Sequence, residues 1–134
     1  MEGLVIVDAA NVIGSVPDGW WRDRAGAVTR LRDALADHPA TVEVVLVTEG
    51  AARGVAAVEG VRVHAAPGSG DDEIVALVRA AEGRATVVTA DRGLRDRVTS
   101  LGAQVVGPGT LRSAAWFKSR DGGPDRRRPS GGPE

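Results

Sequence analysis

A chain of 134 residues, 43% of them apolar and only 3% aromatic, is long enough for one ordinary domain with a real core and has globular rather than disordered composition. The absence of cysteine excludes disulfides, zinc–thiolate sites and thiol nucleophiles and fits a reducing cytoplasm, while a net charge of −1 gives no global pull toward nucleic acid. No apolar run nears the roughly 18 residues of a membrane span, and the opening Met1–Val7 carries no basic leader, so neither a membrane segment nor a signal peptide is expected.

In chain order, Leu4–Val7 is a short β-rich run, and Asp8 to Gly14 reads as the loop that leaves it. Pro17-Asp18-Gly19-Trp20-Trp21-Arg22 continues as an unusual loop with two adjacent tryptophans. Val28, Leu31 and Leu35 then fall at i, i+3, i+7, the spacing of a helix with one buried stripe. Val42–Val47 predicts a second strand and Ala51–Ala57 a weaker, shorter helix. Val61–His64 is a third strand, followed by the helical spacing of Ile74, Leu77, Val78 and Ala81. Thr86–Thr89 is a fourth strand, Leu94, Val98 and Leu101 mark another helix, and Gln104–Val106 is a fifth strand. Trp116-Phe117 reads as the anchor of a terminal helix. The pattern then stops. We place one domain at residues 1–117 and expect residues 118–134, rich in Arg, Gly and Pro, to form a disordered tail.

Continuous apolar strands separated by amphipathic helices imply a parallel sheet covered on both faces. The expected fold is α/β, a three-layer α/β/α sandwich around a five-stranded parallel sheet.

The acids fall where such a fold binds ligands. Asp8 follows the first strand, Glu49 lies one residue past the second, Asp71 and Asp72 open the helix after the third, and Asp91 follows the fourth. In a parallel sheet all these strand ends share one edge. Each acid has an ordinary reading as well. Asp8 can end a strand, Asp71, Asp72 or Asp91 can cap a helix, and Glu49 can be a solvated loop residue. As a set, however, they repel one another unless a cation neutralises them. The body of the chain offers no lysine for this, since Lys118 stands at the start of the tail. Hard carboxylate ligands select Mg²⁺ or Mn²⁺.

These same residues carry a resemblance. Asp8-Ala9-Ala10-Asn11 resembles the Asp-x-x-Asn opening of NYN domains, a branch of the PIN-like nuclease superfamily. Gly70-Asp71-Asp72-Glu73 resembles that family's paired aspartates at a helix start, and Thr89-Ala90-Asp91 its strand-end Thr/Ser-x-Asp motif. The order and spacing resemble the YacP-like subgroup most, over about residues 3–117. The resemblance implies a PIN-like fold and a metal-dependent endoribonuclease in which Asp8, Asp71, Asp72 and Asp91 hold the metal and are catalytic. Glu49 stands where many relatives have Asp after an aromatic, and so is a further candidate ligand. In-line hydrolysis would leave a 5′-phosphate and a 3′-hydroxyl.

Around this centre, Asn11, Ser15, Trp20, Thr89, Arg92 and Arg95 are candidate substrate contacts. Asn11 would orient Asp8 or a phosphate, Ser15 and Thr89 offer hydroxyls, Trp20 would stack on a base or pack as a lid, and the arginines would meet phosphates. Arg97 reads instead as part of a solvated helix face. The expected partner is RNA (tRNA, rRNA or mRNA on the ribosome), with no membrane, and a homodimer is left open. The alternative is a catalytically weak or inactive RNA- or ribosome-binding module of the same fold. A haloacid-dehalogenase-type site is disfavoured because position 10 is Ala10 rather than Asp, and a P-loop is excluded because no Gly-Lys pair occurs.

Overall fold

The computed structural model describes residues 3–15, 19–38 and 41–112, so Trp116-Phe117 and the tail lie outside the described residues. Five strands form one all-parallel sheet: β1 (Gly3–Asp8), β2 (Val42–Thr48), β3 (Val61–Ala65), β4 (Thr86–Val88) and β5 (Gln104–Val106). Five helices accompany them: α1 (Ala9–Gly14), α2 (Arg24–Leu35), α3 (Gly70–Ala80), α4 (Arg92–Thr99) and the short α5 (Gly109–Arg112). The strand order is β3-β2-β1-β4-β5.

Burial explains that order. The runs in β1, β2 and β4 are almost continuously buried, as strands covered on both faces must be, whereas β3 and β5 are partly exposed and sit at the edges. Side chains alternate across the sheet and divide into two cores. On one face Val5, Val7, Val44 and Leu46 pack with Val12, Ile13, Val28 and Leu35 of α1 and α2. On the other, Ile6, Val45, Val47 and Val87 pack with Ile74, Val78, Leu94 and Val98 of α3 and α4. The expected three layers are therefore present.

Local chemistry sets the ends of the helices. Asp23, Ser69 and Asp91 cap α2, α3 and α4 by accepting from the N–H groups of Gly26, Asp72 and Leu94. After α3 the chain leaves through Gly83, whose N–H donates to the Val78 carbonyl at 2.9 Å. Its φ is +79°, and a Cβ there would collide with the Leu101 carbonyl, so only glycine fits.

Two expectations change. The helix expected at Ala51–Ala57 is only a 3₁₀ turn at Gly50–Ala52. Beyond it Val58 pairs antiparallel with Val61 around Gly60, so the apolar residues of this segment press on the core from a tight turn instead of a helix. Conversely, the loop expected from Asp8 to Gly14 is helix α1, which starts directly on the strand with Asp8 as its cap. Six residues are too few for a 3.6-residue period to declare itself.

The topology creates one crevice. From β1 the chain winds outward through β2 to β3, then crosses back to β4 on the far side of β1. The reversal lies between β1 and β4, and open α/β sheets bind ligands beyond the carboxyl ends of such a pair.

Candidate active site

Asp8 is the last residue of β1, opposite Val47 of β2 and one position beyond the β1–β4 ladder, which ends at Val7 and Val88. Thr89 therefore arrives beside it, and its Oγ1 donates to Asp8 Oδ2 at 3.0 Å. The other oxygen, Oδ1, accepts from the Asn11 backbone N–H at 3.4 Å. Asp8 is only 4% exposed. Burial pushes its pKa up to about 6, against the downward pull of the Thr89 and Asn11 hydrogen bonds, and the charges of Asp71 and Glu49 push it further up.

Ser69, not either aspartate, caps α3: its Oγ accepts from the Asp72 N–H at 3.2 Å, which leaves Asp71 and Asp72 in the first turn. Asp71 is half-buried, and burial raises its pKa. Asp91, Glu49 and Asp72 add repulsion, while Arg97 opposes the rise. Glu49 Oε1 accepts from the Gly70 N–H at 3.2 Å. A Cβ on Gly70 would stand 3.0 Å from Glu49 Oε2, so the glycine allows the carboxylate to settle on the helix start.

The five acids are thus not equivalent. The charges of Asp71 and Glu49 act on Asp8, and those of Asp91 and Glu49 act on Asp71. Asp91 is exposed and uses Oδ1 to accept from the Leu94 N–H at 2.8 Å, capping α4. Asp72 is exposed, and its Oδ1 pairs with Arg97 Nη2 of α4 at 3.1 Å. Among the described residues no three His, Asp or Glu side chains gather closely enough to hold a metal ion.

The neighbours are arranged to position these groups. Thr89 is wholly buried; besides donating to Asp8, its hydroxyl accepts from the Asp91 N–H at 3.1 Å. Thr89, one of the residues expected to meet substrate, thus has its hydroxyl engaged with Asp8 and the Asp91 N–H. The Asn11 side-chain carbonyl accepts from the Ala90 N–H at 2.7 Å and ties α1 to the loop after β4. Ser15 ends α1, its hydroxyl donating to the Val12 carbonyl at 2.6 Å. Arg92 and Arg95 are exposed on α4.

Trp20 lies half-buried in a 3₁₀ turn, Trp20–Arg22, and packs on the α1–α2 core with the Arg24 guanidinium 5.3 Å from its ring centre. Trp21 meets it edge-on and is 56% exposed. Trp20, Arg24 and Glu49 border a cleft of about 280 Å³ on this side of the crevice.

Two pairings were missed in the sequence. Arg97 is the counter-charge of Asp72, and His64 Nδ1 lies 3.2 Å from Glu73 Oε2 beside the start of α3. His64 ends the expected third strand, which was a usable signal. Arg97 had none, because its contact depends on α3 and α4 lying side by side.

No known family's sequence pattern matches the chain, and no curated protein matches it. Among solved structures it is similar to Rae1 (YacP) from Bacillus subtilis, at 20% identity and a TM-score of 0.71, over 87% of this chain and 76% of that one. A tryptophan-to-leucine variant of the same Bacillus protein aligns at 20% identity and a TM-score of 0.69, over 90% and 77% of the two chains. The fold is thus YacP-like. No helix among the described residues is long and apolar enough to cross a membrane.

Proposed function

We propose that this chain is a divalent-metal-dependent endoribonuclease that hydrolyses RNA phosphodiester bonds in the cytoplasm. The observation that carries this reading is that acids from separate elements lie within electrostatic reach of one another at the topological switch point. Asp8 comes from β1, Glu49 from the end of β2, Asp71 from α3 and Asp91 from the start of α4, and burial and mutual repulsion leave Asp8 and Asp71 ready for a cation. The Asp8/Asn11, Asp71/Asp72 and Thr89/Asp91 motifs resemble those of NYN and PIN-like nucleases. The YacP-like fold supports reading them together.

The donors suit Mg²⁺ or Mn²⁺, being all carboxylate oxygens. Mg²⁺ commonly takes only one or two carboxylates and completes its shell with water and substrate phosphate, so a closed cage of three acids is not required. Asp8 and Asp71 would hold the ion directly, with Asp91, Glu49 and Asp72 around them. When bound, the metal supplies Lewis acidity toward water and offsets the charge that builds on the phosphate. The protein's own part is orientation. Thr89 and the Asn11 N–H fix both oxygens of Asp8, and Asn11, through Ala90, holds the loop that carries Asp91. Arg92 and Arg95 would meet flanking phosphates, with Ser15 and Trp20 beside the strand.

The alternative, an RNA- or ribosome-binding module without turnover, draws on the lack of a three-acid group among the described residues. Two measurements separate the readings. Unpaired RNA should be cut in Mg²⁺ or Mn²⁺ and left intact in EDTA. The metal-free protein should gain about 2.7 kcal/mol of stability when free Mn²⁺ is 100 times its dissociation constant. Melting indifferent to millimolar Mn²⁺, together with no cleavage of structured or unstructured RNAs, would favour the module.

A further inference from the structure

Arg32, Arg62, Arg84 and Arg97 each pair with a carboxylate. In the turn that enters α2, Arg22 and Arg24 rest on tryptophan rings instead. Their guanidinium carbons lie 5.8 Å from the ring centre of Trp21 and 5.3 Å from that of Trp20. Neither has an acidic partner among the described residues. The acid between them, Asp23, is taken up by the helix, where its Oδ1 accepts from the Gly26 N–H at 2.9 Å. A Cβ on residue 26 would collide with that carboxylate, so glycine there lets Asp23 close onto the helix and leaves both arginines to the rings.

The fold alone does not call for these cations. Arg24 is the first residue of α2, at the positive end of the helix dipole, where an acid is stabilising and a cation is not. Both side chains are exposed, so no buried charge requires them. A guanidinium held over a ring gives up neither its charge nor its N–H donors, and it is already confined when a phosphate arrives. Position names the ligand. Trp20 and Arg24 border a cleft that also touches Ala9 and Ala10, the two residues after Asp8. Arg92 and Arg95 stand on α4, in the opposite helical layer. A polyanion passing the acids has guanidinium groups on both sides of the sheet.

Building on the nuclease reading, we infer that the turn at residues 20–24 is a phosphate anchor for the RNA strand. Arg22 and Arg24 grip backbone phosphates beyond the one presented to Asp8 and Asp71. Trp21 and Trp20 are the platforms that hold the two guanidinium groups in place. The contact reads the backbone and is indifferent to base sequence.

The test uses the full chain in EDTA, where cutting by the proposed mechanism is blocked. Fluorescein-labelled decauridylate is the probe, with anisotropy read from about 50 to 200 mM salt. The Arg22→Gln, Arg24→Gln double variant should bind at least about tenfold more weakly at the low end. Its slope of log affinity against log salt should flatten by about 1.4, or ~0.7 for each of two phosphates. Trp21→Leu keeps both charges and should still cost about two- to fivefold, because Arg22 loses its platform. The control is Arg62→Gln, Arg84→Gln, which removes equal charge from exposed ion pairs elsewhere and should change neither quantity. An unchanged slope in the first double variant, an equal loss in the control, wild-type binding by Trp21→Leu, or a wild type that binds no decauridylate overturns the inference. In Mn²⁺ the first double variant should raise KM with kcat nearly unchanged. Cleavage at the wild-type KM would overturn the anchor while leaving the nuclease intact. The expected binding losses with no cleavage in any metal would support the anchor and sink the nuclease.

Discussion

The two sides of the crevice are built differently. On the β4 side the polar groups form one connected chain. Ala90 N–H meets Asn11, Thr89 donates to Asp8, Asp91 N–H donates back to Thr89, and Asp91 caps Leu94, all between 2.7 and 3.1 Å. On the β2 side Thr48, likewise wholly buried at a strand end, has no hydrogen-bond partner for its hydroxyl among the described residues. Its neighbour Glu49 is held by the single N–H of Gly70. The connected side fixes a carboxylate in one orientation, as chemistry requires. The looser side leaves a buried hydroxyl without a protein partner among the described residues.

The largest expected effect comes from the fixed carboxylate. Asp8→Asn should lower cleavage by at least about a hundredfold, because it removes the anion at the centre of the proposed site. The same change should stabilise the metal-free protein at neutral pH. Asp8 titrates near 6 in the fold against an ordinary 3.8, so the native state binds its proton more tightly than the unfolded chain. Its favourable contribution is complete below about pH 4 and is lost as pH rises through about 6. At pH 8 the substitution should therefore add up to about 3 kcal/mol. Urea denaturation of wild type and variant across pH 4–8 checks this. Parallel curves would mean that Asp8 titrates as a solvated acid.

Thr89→Val comes next. It removes a donor from Asp8 and an acceptor from the Asp91 N–H, at a cost of about 1–3 kcal/mol, with cleavage reduced about 10–100-fold. Thr48→Val, the same exchange on the other side, should be neutral or stabilise by up to about 1 kcal/mol, because no protein bond is lost among the described residues. Equal losses from the two threonines in thermal melts would break the comparison.

The smallest effect belongs to Asp72. Its pair with Arg97 is exposed, so Asp72→Asn should change stability by less than about 1 kcal/mol, fading with added salt, and should leave most cleavage intact. Asp71→Asn should not leave it intact. An Asp72→Asn protein that cuts no RNA would show that Asp72 leaves Arg97 for the metal.

Much of this was legible before any coordinates. Strand runs such as Val42–Val47 and the spacing of Ile74, Leu77 and Val78 are local patterns, and each maps onto an element. What misled was shortness or turn chemistry. The six residues of α1 show no period, and Ala51–Ala57 has apolar residues that pack from a turn instead of a helix. The acids were legible as a set only because strands that run parallel must end on one edge.

The sequence by itself determined the parallel α/β sandwich and the edge at which the acids gather, because periodic burial and strand-end position are properties of neighbouring residues. Only the tertiary structure decided their roles. The β3-to-β4 crossover set β4 beside β1, buried Thr89 against Asp8, and laid α4 along α3 so that Arg97 pairs with Asp72. It also drew the Glu49 carboxylate onto Gly70. These contacts join residues 21 to 81 positions apart. They follow from which faces bury together, and a short-range pattern contains no information about that choice.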